Sequence, residues 1–269
     1  MKLSDVLFVG GDVNRLASIK IRCRDVVERL GGCFHYSAAS VDELPSGYKL
    51  YWCVKPDFGI AGIEKIKKRG TAVVWDILDD SPPQSGIERY VTSTHAAKAA
   101  FEHLGPVTVI PHHHCNMDGY ENVQSPEKIA YIGNEHWYPE LQGIAHERYF
   151  IHGWTREQVV AAYRNVGIAI NLRKSSLLAA QHVQMNSGIK LINCLGFGIP
   201  SVSAEEPAYR EIAPECTIFT DVDGCADVLE ALKRNQDFYI EMKSRCLQRS
   251  NEFHIDQIVN KYRMLIKSL

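Results

Sequence analysis

The chain has little net charge, no long apolar stretch and no evident targeting segment. Its 269 residues carry a formal charge of −2, so no strong overall field attracts it to nucleic acid or to an anionic membrane. Its apolar runs fall well short of the roughly 20 residues that span a bilayer. At the N-terminus, Asp5 and Asp12 interrupt any basic-then-apolar signal. We therefore expect a cytoplasmic protein without a transmembrane segment.

Cysteine and glycine spacings that mark well-known sites are also missing. The eight cysteines form no C-x-x-C pair, and several, including Cys53 and Cys194, lie inside apolar runs. Such residues behave as small buried hydrophobic side chains, and intracellular proteins keep them reduced. The first predicted strand is followed by Gly10-Gly11-Asp12, which is not a G-x-G-x-x-G fingerprint. The sequence therefore predicts free thiols and no dinucleotide site.

Strand and helix patterns alternate along the whole chain. The predicted strands are 6–9, 49–54, 71–76, 89–92, 107–110, 128–132, 149–152, 167–172, 199–203 and 217–219. The predicted helices are 18–30, 62–69, 94–104, 156–164, a helix from Ser187, another from Pro207, one that ends at Leu232, 237–250 and 255–268. This succession is typical of doubly wound parallel sheets in an α/β protein.

A polar segment near the middle of the chain divides the pattern into two rounds. It contains Gly119 and Pro126, and a new strand begins just after it. We therefore predict a Rossmann-like domain over 1–118, a linker over 119–127 and a second Rossmann-like domain over 128–250. The helix within 251–269 could pack back on the first domain.

The segment 186–212 gathers small residues where open α/β sheets bind ligands. It predicts a helix that opens at Ser187, a glycine stop at Gly196 and Gly198, and a buried strand over 199–203. Backbone N–H groups at a helix start, close to the carboxyl end of a strand, form a ready anion site. This segment is the strongest sign of a ligand site in the sequence.

Four segments, taken in order, resemble the retaining group 1 family of GT-B glycosyltransferases. Residues 71–83, T-A-V-V-W-D-I-L-D-D-S-P-P, are similar to a strand and acidic loop of its N-terminal domain, and 90–111 to the stretch before its linker. Residues 128–134, K-I-A-Y-I-G-N, and the helix 188–198 are similar to the first strand and the K-x-x-E-A-x-A-x-G helix of its C-terminal domain. The resemblance implies a GT-B fold, with two Rossmann-like domains facing across a cleft.

A nucleotide-sugar site in the C-terminal half is the next implication. Arg173 and Lys174 follow a strand and could neutralise a diphosphate leaving group, or could simply be exposed bases. Lys190 lies one turn into the key helix and could reach a phosphate, or could be solvated. Trp137 is a candidate stacking platform for a base or an acceptor. The predicted donor-binding residues are Gly133, Asn134, Ser187, Gly188, Asn193, Glu206 and Tyr209.

The chain departs from the family at a pair of glutamates. These two residues would fall on Met185 and Asn193, so both carboxylates are lost. In the family the second glutamate binds the ribose. The neutral side chain of Asn193 could still hydrogen-bond a ribose hydroxyl. The loss leaves open a divergent subfamily or an inactive member.

By the same resemblance, the first half would hold the acceptor. Asp76, Asp79 and Asp80 follow a strand as D-I-L-D-D, and clustered carboxylates can bind sugar hydroxyls, a metal or a proton, or can cap helices. We take Asp80 as a catalytic candidate. The acceptor-side candidates are Gly10, Gly11, Asp12, Asp76 and His95.

Three consecutive histidines suggest a metal, but their spacing argues against one. His112, His113 and His114 in an extended segment would point alternately to opposite faces, so they could not easily share one tetrahedral ion. The family resemblance also implies a metal-independent reaction, because helix dipoles and basic side chains stabilise the departing diphosphate. We predict no metal site and no required cofactor.

The resemblance implies a glycosyltransferase that moves a sugar from a nucleotide sugar to an acceptor hydroxyl with retention. A UDP-sugar is the favoured donor and a GDP-sugar the alternative. The acceptor could be a carbohydrate, a small molecule or DNA, because the compact size is similar to that of enzymes that glycosylate hydroxymethylated bases in viral DNA. The missing glutamates leave open a non-catalytic nucleotide-sugar binding module, and a GT-B epimerase is a further alternative.

Overall fold

Two compact units make up the computed structural model of this chain. The structure describes residues 1–12, 17–36, 38, 40–78, 82–83, 86–174, 183 and 185–269. The first unit is Met1–His112 together with Ile255–Leu269, and the second is His113–His254. Each unit contains one parallel sheet with helices, which confirms the predicted α/β class and the two Rossmann-like domains.

The sheet of the first unit has six strands in the order β2-β1-β3-β4-β5-β6. These are β1 (Val6–Gly10), β2 (Cys33–Tyr36), β3 (Leu50–Val54), β4 (Ala72–Asp76), β5 (Arg89–Thr92) and β6 (Val107–Val109), all paired in parallel. Every residue of β1 and of β3 is buried, as expected for continuous apolar strands covered on both faces. The sequence prediction missed β2, because this edge strand is half-exposed and has no apolar run.

The sheet of the second unit has five strands in the order β11-β10-β9-β7-β8. They are β7 (Ile129–Gly133), β8 (Glu147–Phe150), β9 (Ile168–Asn171), β10 (Ser201–Ser203) and β11 (Thr217–Phe219), again all parallel. The strand order reverses between β7 and β9, and open α/β sheets bind ligands outside the carboxyl ends of strands at such a switch point. The corresponding position in the first unit lies between β1 and β3.

Helices flank both sheets. In the first unit, α1 joins Ala17–Ile19, a π-helical stretch Lys20–Asp25 and Val26–Leu30, and is followed by α2 (Gly59–Lys68) and α3 (His95–Phe101). The second unit has α4 (Arg156–Tyr163), α5 (Ile189–Phe197), α6 (Pro207–Ile212), α7 (Cys225–Arg234) and α8 (Gln236–Ser250), and the final helix α9 (Ile255–Ser268) returns to the first unit. None of the helices within the described ranges has both the length and the apolarity that crossing a membrane requires.

The final helix completes the core of the first unit. Its buried residues recur at helical spacing, so one face of α9 is apolar while Met264 on the other side is exposed. The ring of Tyr262 lies 4.8 Å from that of Trp52 and 6.3 Å from that of Phe8, centre to centre. At the surface, Arg29 of α1 pairs with Asp256 of α9 at 2.6 Å. The last residues of the chain are thus part of the first sheet's packing.

Helix α5 is flanked by the glycine caps Gly188 and Gly198, and its start differs from the prediction. The helix starts at Ile189 rather than Ser187, with Gly188 as its N-cap at φ +66°. Gly198, in a left-handed conformation, ends it as predicted. The predicted stop at Gly196 is wrong, because this residue lies inside the helix. A Cβ there would come within 2.6 Å of Cγ of His114, so close packing rather than a turn requires the glycine.

Residues 119–127, for which the sequence predicts a linker, lie in the second unit, and some of them make hydrogen bonds within it. The Asn122 amide donates to the carbonyl oxygens of Tyr163 and Val166, at 3.2 and 2.7 Å. The hydroxyl of Tyr239 donates to the carbonyl of Gln124 at 3.3 Å. The chain passes between the two units at 112–113 and at 254–255 instead.

Threonine caps fix the starts of α3 and α4, which lie within one residue of the predicted positions. The Oγ1 atom of Thr94 accepts a hydrogen bond from the backbone N–H of Ala97 at 3.1 Å, and Thr155 caps α4 through Gln158 in the same way. We expect Thr94→Ala to lower the free energy of unfolding by about 1 kcal/mol, because a buried helix start loses its acceptor. Urea unfolding should show that Thr94→Ser keeps most of the stability, and equal losses in both variants would contradict the capping role.

Candidate functional site

The carboxyl ends of β7 and β9 bring together several of the residues predicted from the sequence. Gly133 is the last residue of β7, and Arg173 follows β9 by two positions. A Cβ at Gly133 would lie only 2.7 Å from Nζ of Lys190, which comes from the first turn of α5. The glycine therefore leaves the space in which Lys190 reaches the end of the strand, at the switch point of the second sheet.

Lys190 is a buried amine in an unusual environment. Its Nζ atom is shielded from solvent and lies 4.2 Å from the ring centre of Tyr131. No hydrogen-bond acceptor lies within reach of this atom among the residues that the structure describes. Burial, followed by the nearby charge of Arg173, lowers the pKa of Lys190 to about 7, although the charge of Glu206 opposes this shift. A bound anion would supply the missing partner.

Arg173 is held by the carboxylate of Glu206. The two form an ion pair at 3.1 Å between Nε and Oε1, with 16% of the arginine side chain exposed and only 2% of the glutamate. The side-chain amide of Asn186 donates to the other carboxylate oxygen of Glu206, and its own oxygen accepts from the N–H of Gly188 at 3.1 Å. Burial raises the pKa of Glu206, and Arg173 partly offsets this effect.

Two aromatic side chains, those of Tyr209 and Trp137, lie near the guanidinium of Arg173. Tyr209 of α6 is fully buried nearby, and burial, with the charge of Glu206, raises the pKa of its phenol to about 12. The ring centre of Trp137 lies 5.8 Å from the Arg173 guanidinium carbon. Lys174 is exposed, and its backbone N–H donates to the carbonyl of Trp137 at 3.1 Å. The loop after β7 is thereby tied to the loop after β9.

Other predicted donor residues have different surroundings. The Asn193 side chain is buried, and its Oδ1 accepts from the backbone N–H of Cys115 at 2.9 Å, which fixes the neighbouring chain segment. Asn134 is exposed, and its Oδ1 accepts from the N–H of His136 at 2.9 Å as an N-cap. Ser187 is half-buried between Asn186 and Gly188. These contacts leave the donor-binding role of each as a prediction.

In the first unit, close packing requires the glycine that ends β1 and the glycine directly after it. A Cβ on Gly10 would lie 2.8 Å from Cγ2 of Ile19, and a Cβ on Gly11 would lie 2.5 Å from the carbonyl oxygen of Lys55. Both residues lie at the switch point between β1 and β3. Asp12 is half-buried just after them, and His95 is exposed at the start of α3.

Asp76, predicted on the acceptor side, is fully buried. Its Oδ2 accepts from Nε of Arg22 at 2.8 Å and from the indole of Trp52 and the phenol of Tyr262, both at 3.4 Å. The Asp76 carboxylate thus makes its hydrogen bonds inside the first unit and does not face an acceptor. Asp79 and Asp80, including the catalytic candidate, lie outside the described residues.

The three histidines pack within the chain. Among the described residues, no group of three or more histidine, cysteine, aspartate or glutamate side chains is placed to hold a metal ion. Burial, followed by the charges of His113 and His254, lowers the pKa of His114 to about 4. The His114 ring lies 5.6 Å from the ring of His254 and against Gly196.

Sequence reasoning missed two members of the site, Tyr131 and Asn186. Tyr131 is the middle residue of a buried strand, so its pattern indicates only core packing. Asn186 acts on Glu206, which lies 20 residues away, and no periodicity reveals that contact. An asparagine directly before Ser-Gly at a predicted helix start was the available signal, since such residues often cap helices.

The sequence matches no protein-family model and no curated protein. Solved structures match over nearly the whole chain. HepE from Anabaena in complex with UDP-glucose superposes with a TM-score of 0.69 at 10% identity, covering 98% of this chain and 100% of that one. A glycosyltransferase from Rickettsia africae ESF-5 superposes with a TM-score of 0.68 at 9% identity, covering 98% and 97%.

An α-glucosyltransferase in complex with UDP and a 13-mer DNA containing a HMU base is similar too. Its TM-score is 0.59 at 8% identity, with 98% of this chain and 99% of that chain covered. At sequence identities this low, the superpositions establish the fold and leave the activity open. The chain has the GT-B fold of these glycosyltransferases, which confirms the fold that the sequence resemblance implied.

Proposed function

We propose that this chain is a glycosyltransferase that moves a sugar from a nucleotide-sugar donor to an acceptor hydroxyl. The observation that carries the proposal is the placement of Arg173 and Lys190 at the switch point of the second sheet. Two cationic groups, one with a buried amine that lacks an acceptor among the described residues, suit the diphosphate of a nucleotide sugar. HepE, with the same fold, is seen with UDP-glucose bound.

The chemistry requires a stabilised leaving group. The bond between the anomeric carbon and the diphosphate oxygen breaks, a bond to the acceptor oxygen forms, and the acceptor proton has to leave. Negative charge develops on the departing diphosphate, where Arg173 and Lys190 would stabilise it, as preorganised charges do in a site shielded from water. Trp137 beside Arg173 would offer a face for stacking. Retention at the anomeric carbon, with the leaving phosphate as the base, is the stereochemistry we expect from the family resemblance.

For the donor, a UDP-sugar is the leading candidate and a GDP-sugar the alternative. We propose no cofactor and no metal, because the site supplies positive charge through Arg173 and Lys190. A carbohydrate or small molecule is the acceptor class we favour. All eight cysteines are free thiols, and this supports our proposal of a cytoplasmic location.

DNA is the alternative acceptor. The similar fold of the α-glucosyltransferase seen with DNA motivates it, together with the basic residues at the end of α2. Two of them, Lys65 and Arg69, already pair with Asp42, at 2.8 and 3.1 Å, which lowers the positive charge available for phosphates. Salt-dependent binding of duplex DNA would favour this alternative over a carbohydrate acceptor.

Thermal stabilisation by sugar nucleotides tests the proposal directly. We expect one of the UDP-, GDP-, ADP-, CDP- and dTDP-sugars to raise the Tm, since a ligand at 100 times its Kd stabilises by about 2.7 kcal/mol. Arg173→Ala should remove most of the shift. Arg210→Ala is a matched control, because Arg210 lies in the same unit but pairs with Glu205 at the surface. No shift with any donor, or a full shift in Arg173→Ala, would argue against the donor site.

A further inference from the structure

The candidate donor site contains a carboxylate as well as its two basic residues. Glu206 comes from the loop between β10 and α6, and its Oε1 lies 3.1 Å from Nε of Arg173. The angle between them does not suit a hydrogen bond, so the contact is an ion pair. An acid so close to an anion-binding arginine opposes the binding of the anion, and its presence calls for an explanation.

The geometry places Glu206 behind Arg173 with respect to solvent. Only 2% of the Glu206 side chain is exposed, against 16% for Arg173. The ion pair involves Nε of the guanidinium, so the terminal nitrogens are not the atoms that face the carboxylate most closely. An incoming diphosphate would therefore meet Arg173 first and would not have to displace Glu206.

Glu206 is also held in place from its other side. Asn186 donates its side-chain N–H to Oε2 of Glu206, and the oxygen of Asn186 accepts from Gly188 at the start of α5. The carboxylate is thus anchored to a helix terminus through a neutral amide. Swinging away from Arg173 would break a buried hydrogen bond, which is unfavourable.

We propose that Glu206 is a resident counter-ion of the donor site that weakens the binding of a nucleoside diphosphate and speeds its release after sugar transfer. This role rests on the proposed glycosyltransferase function and deepens it. Glu206 acts through its charge on a diphosphate bound beyond Arg173, so it is a charge-balancing residue of the site. The negative charge of Glu206 lowers by one the net positive charge that Arg173 and Lys190 alone would present to the diphosphate.

Coulomb's law gives the direction of the effect. Removing one negative charge near the diphosphate raises the positive potential at the site. At an effective dielectric constant near 20, two unit charges about 12 Å apart correspond to a tenfold change in affinity, so a shorter separation gives a gain of at least about tenfold. If Glu206 served only to orient Arg173, its loss would disorder the guanidinium and weaken binding instead. The two roles therefore predict changes of opposite sign.

The experiment measures the Kd of UDP, of GDP and of uridine by calorimetry, and the release rate of the tighter diphosphate by stopped flow. We expect Glu206→Gln to bind that diphosphate at least about tenfold more tightly, mainly through slower release, with the uridine Kd unchanged. Glu206→Leu should show a gain of the same sign, since it also removes the charge. Glu205→Gln is the matched control, because the Glu205 carboxylate is next to Glu206 in the sequence but pairs with Arg210 at the surface. The diphosphate Kd of this variant should equal that of the wild type.

The outcomes separate this inference from the function on which it rests. Wild-type binding of UDP or GDP, with unchanged or weaker binding in both Glu206 variants, overturns the counter-ion role and leaves the donor site in place. An equal gain for uridine also overturns it, because uridine carries no phosphate. If the wild type binds neither diphosphate, the donor site itself is refuted, and the counter-ion role with it.

Discussion

Replacing Arg22 by methionine should lower the free energy of unfolding by about 3–5 kcal/mol, because it leaves a buried carboxylate without its charged partner. Arg22 lies in the π-helical part of α1 and is 1% exposed, and its partner Asp76 is fully buried. Its Nε donates to Asp76 at 2.8 Å, and its Nη1 donates to the carbonyl of Ile110 at 2.7 Å.

Several elements of the first unit depend on this pair. Burial alone would lower the pKa of Arg22, but the charge and hydrogen bond of Asp76, together with Tyr262, raise it above its usual value. Trp52 of β3 and Tyr262 of α9 also donate to the same carboxylate oxygen. Loss of the guanidinium therefore disturbs the contacts of β3, β4 and α9 at once.

A matched control comes from the same helix, α1. Arg29→Met removes an ion pair between α1 and α9 that is about half-exposed on both sides, at Arg29 and Asp256, so we expect little change in stability. Urea unfolding, followed by tryptophan fluorescence, compares the two variants. Equal stabilities of Arg22→Met and Arg29→Met would show that the buried pair is not the stabilising contact that the structure suggests.

Replacing Lys190 by methionine should have opposite effects on stability and on ligand binding. The empty protein should gain about 2–4 kcal/mol at pH 6.5, because a pKa near 7 against an unfolded value of about 10.4 means that burying the ammonium is costly. Binding of the nucleoside diphosphate should weaken by about 100-fold, since one charge-assisted contact to phosphate is lost. Such an exchange of stability for function is common at binding sites.

The pH dependence follows from the direction of the shift. The pKa of Lys190 is lower in the folded protein than in the unfolded chain, so the cost of burying it is fully present below about pH 7. Between about pH 7 and 10.4, the unfolded chain binds more protons than the native protein, so wild-type stability rises with pH relative to Lys190→Met. The advantage of the variant should therefore shrink steadily toward pH 10.

Urea midpoints at pH 6.5 and pH 9.5 check this prediction. Lys128→Met is the control, since Lys128 lies in the same unit, is exposed and faces Glu147 at 3.9 Å. Its effect on stability should be small at both pH values. A stability difference between Lys190→Met and the wild type that does not change with pH would show that Lys190 is charged throughout.

Much of the fold could be predicted because the central strands carry continuous apolar runs. Both β1 and β3 are buried on both faces, and only a parallel sheet covered by helices accommodates such strands. Helices α3 and α4 begin within one residue of the predicted positions, and Thr94 and Thr155 cap them. The edge strand β2 escaped prediction because its half-exposed residues have no pattern distinct from a loop.

The candidate site was less accessible to sequence reasoning. Arg173 and Lys190 could be proposed because a strand end and a helix start are local features of the sequence. Whether Asp76 faces solvent or the core depends on Arg22, which is 54 residues away, so its strand-end position and the family resemblance placed it on the acceptor side. The link between Asn186 and Glu206 likewise depends on how α5 and the loop before α6 come together in three dimensions.

The discontinuity of the first unit has a consequence for biosynthesis. A ribosome completes all of His113–His254 before it makes α9, so the second unit can fold on the nascent chain while the first still lacks a helix. Until α9 is made, Phe8 and Trp52 lack the ring of Tyr262 as a packing partner, and their apolar surface is available to chaperones. Deletions at the C-terminus should therefore destabilise the N-terminal sheet, which is synthesised first, before they destabilise the second unit.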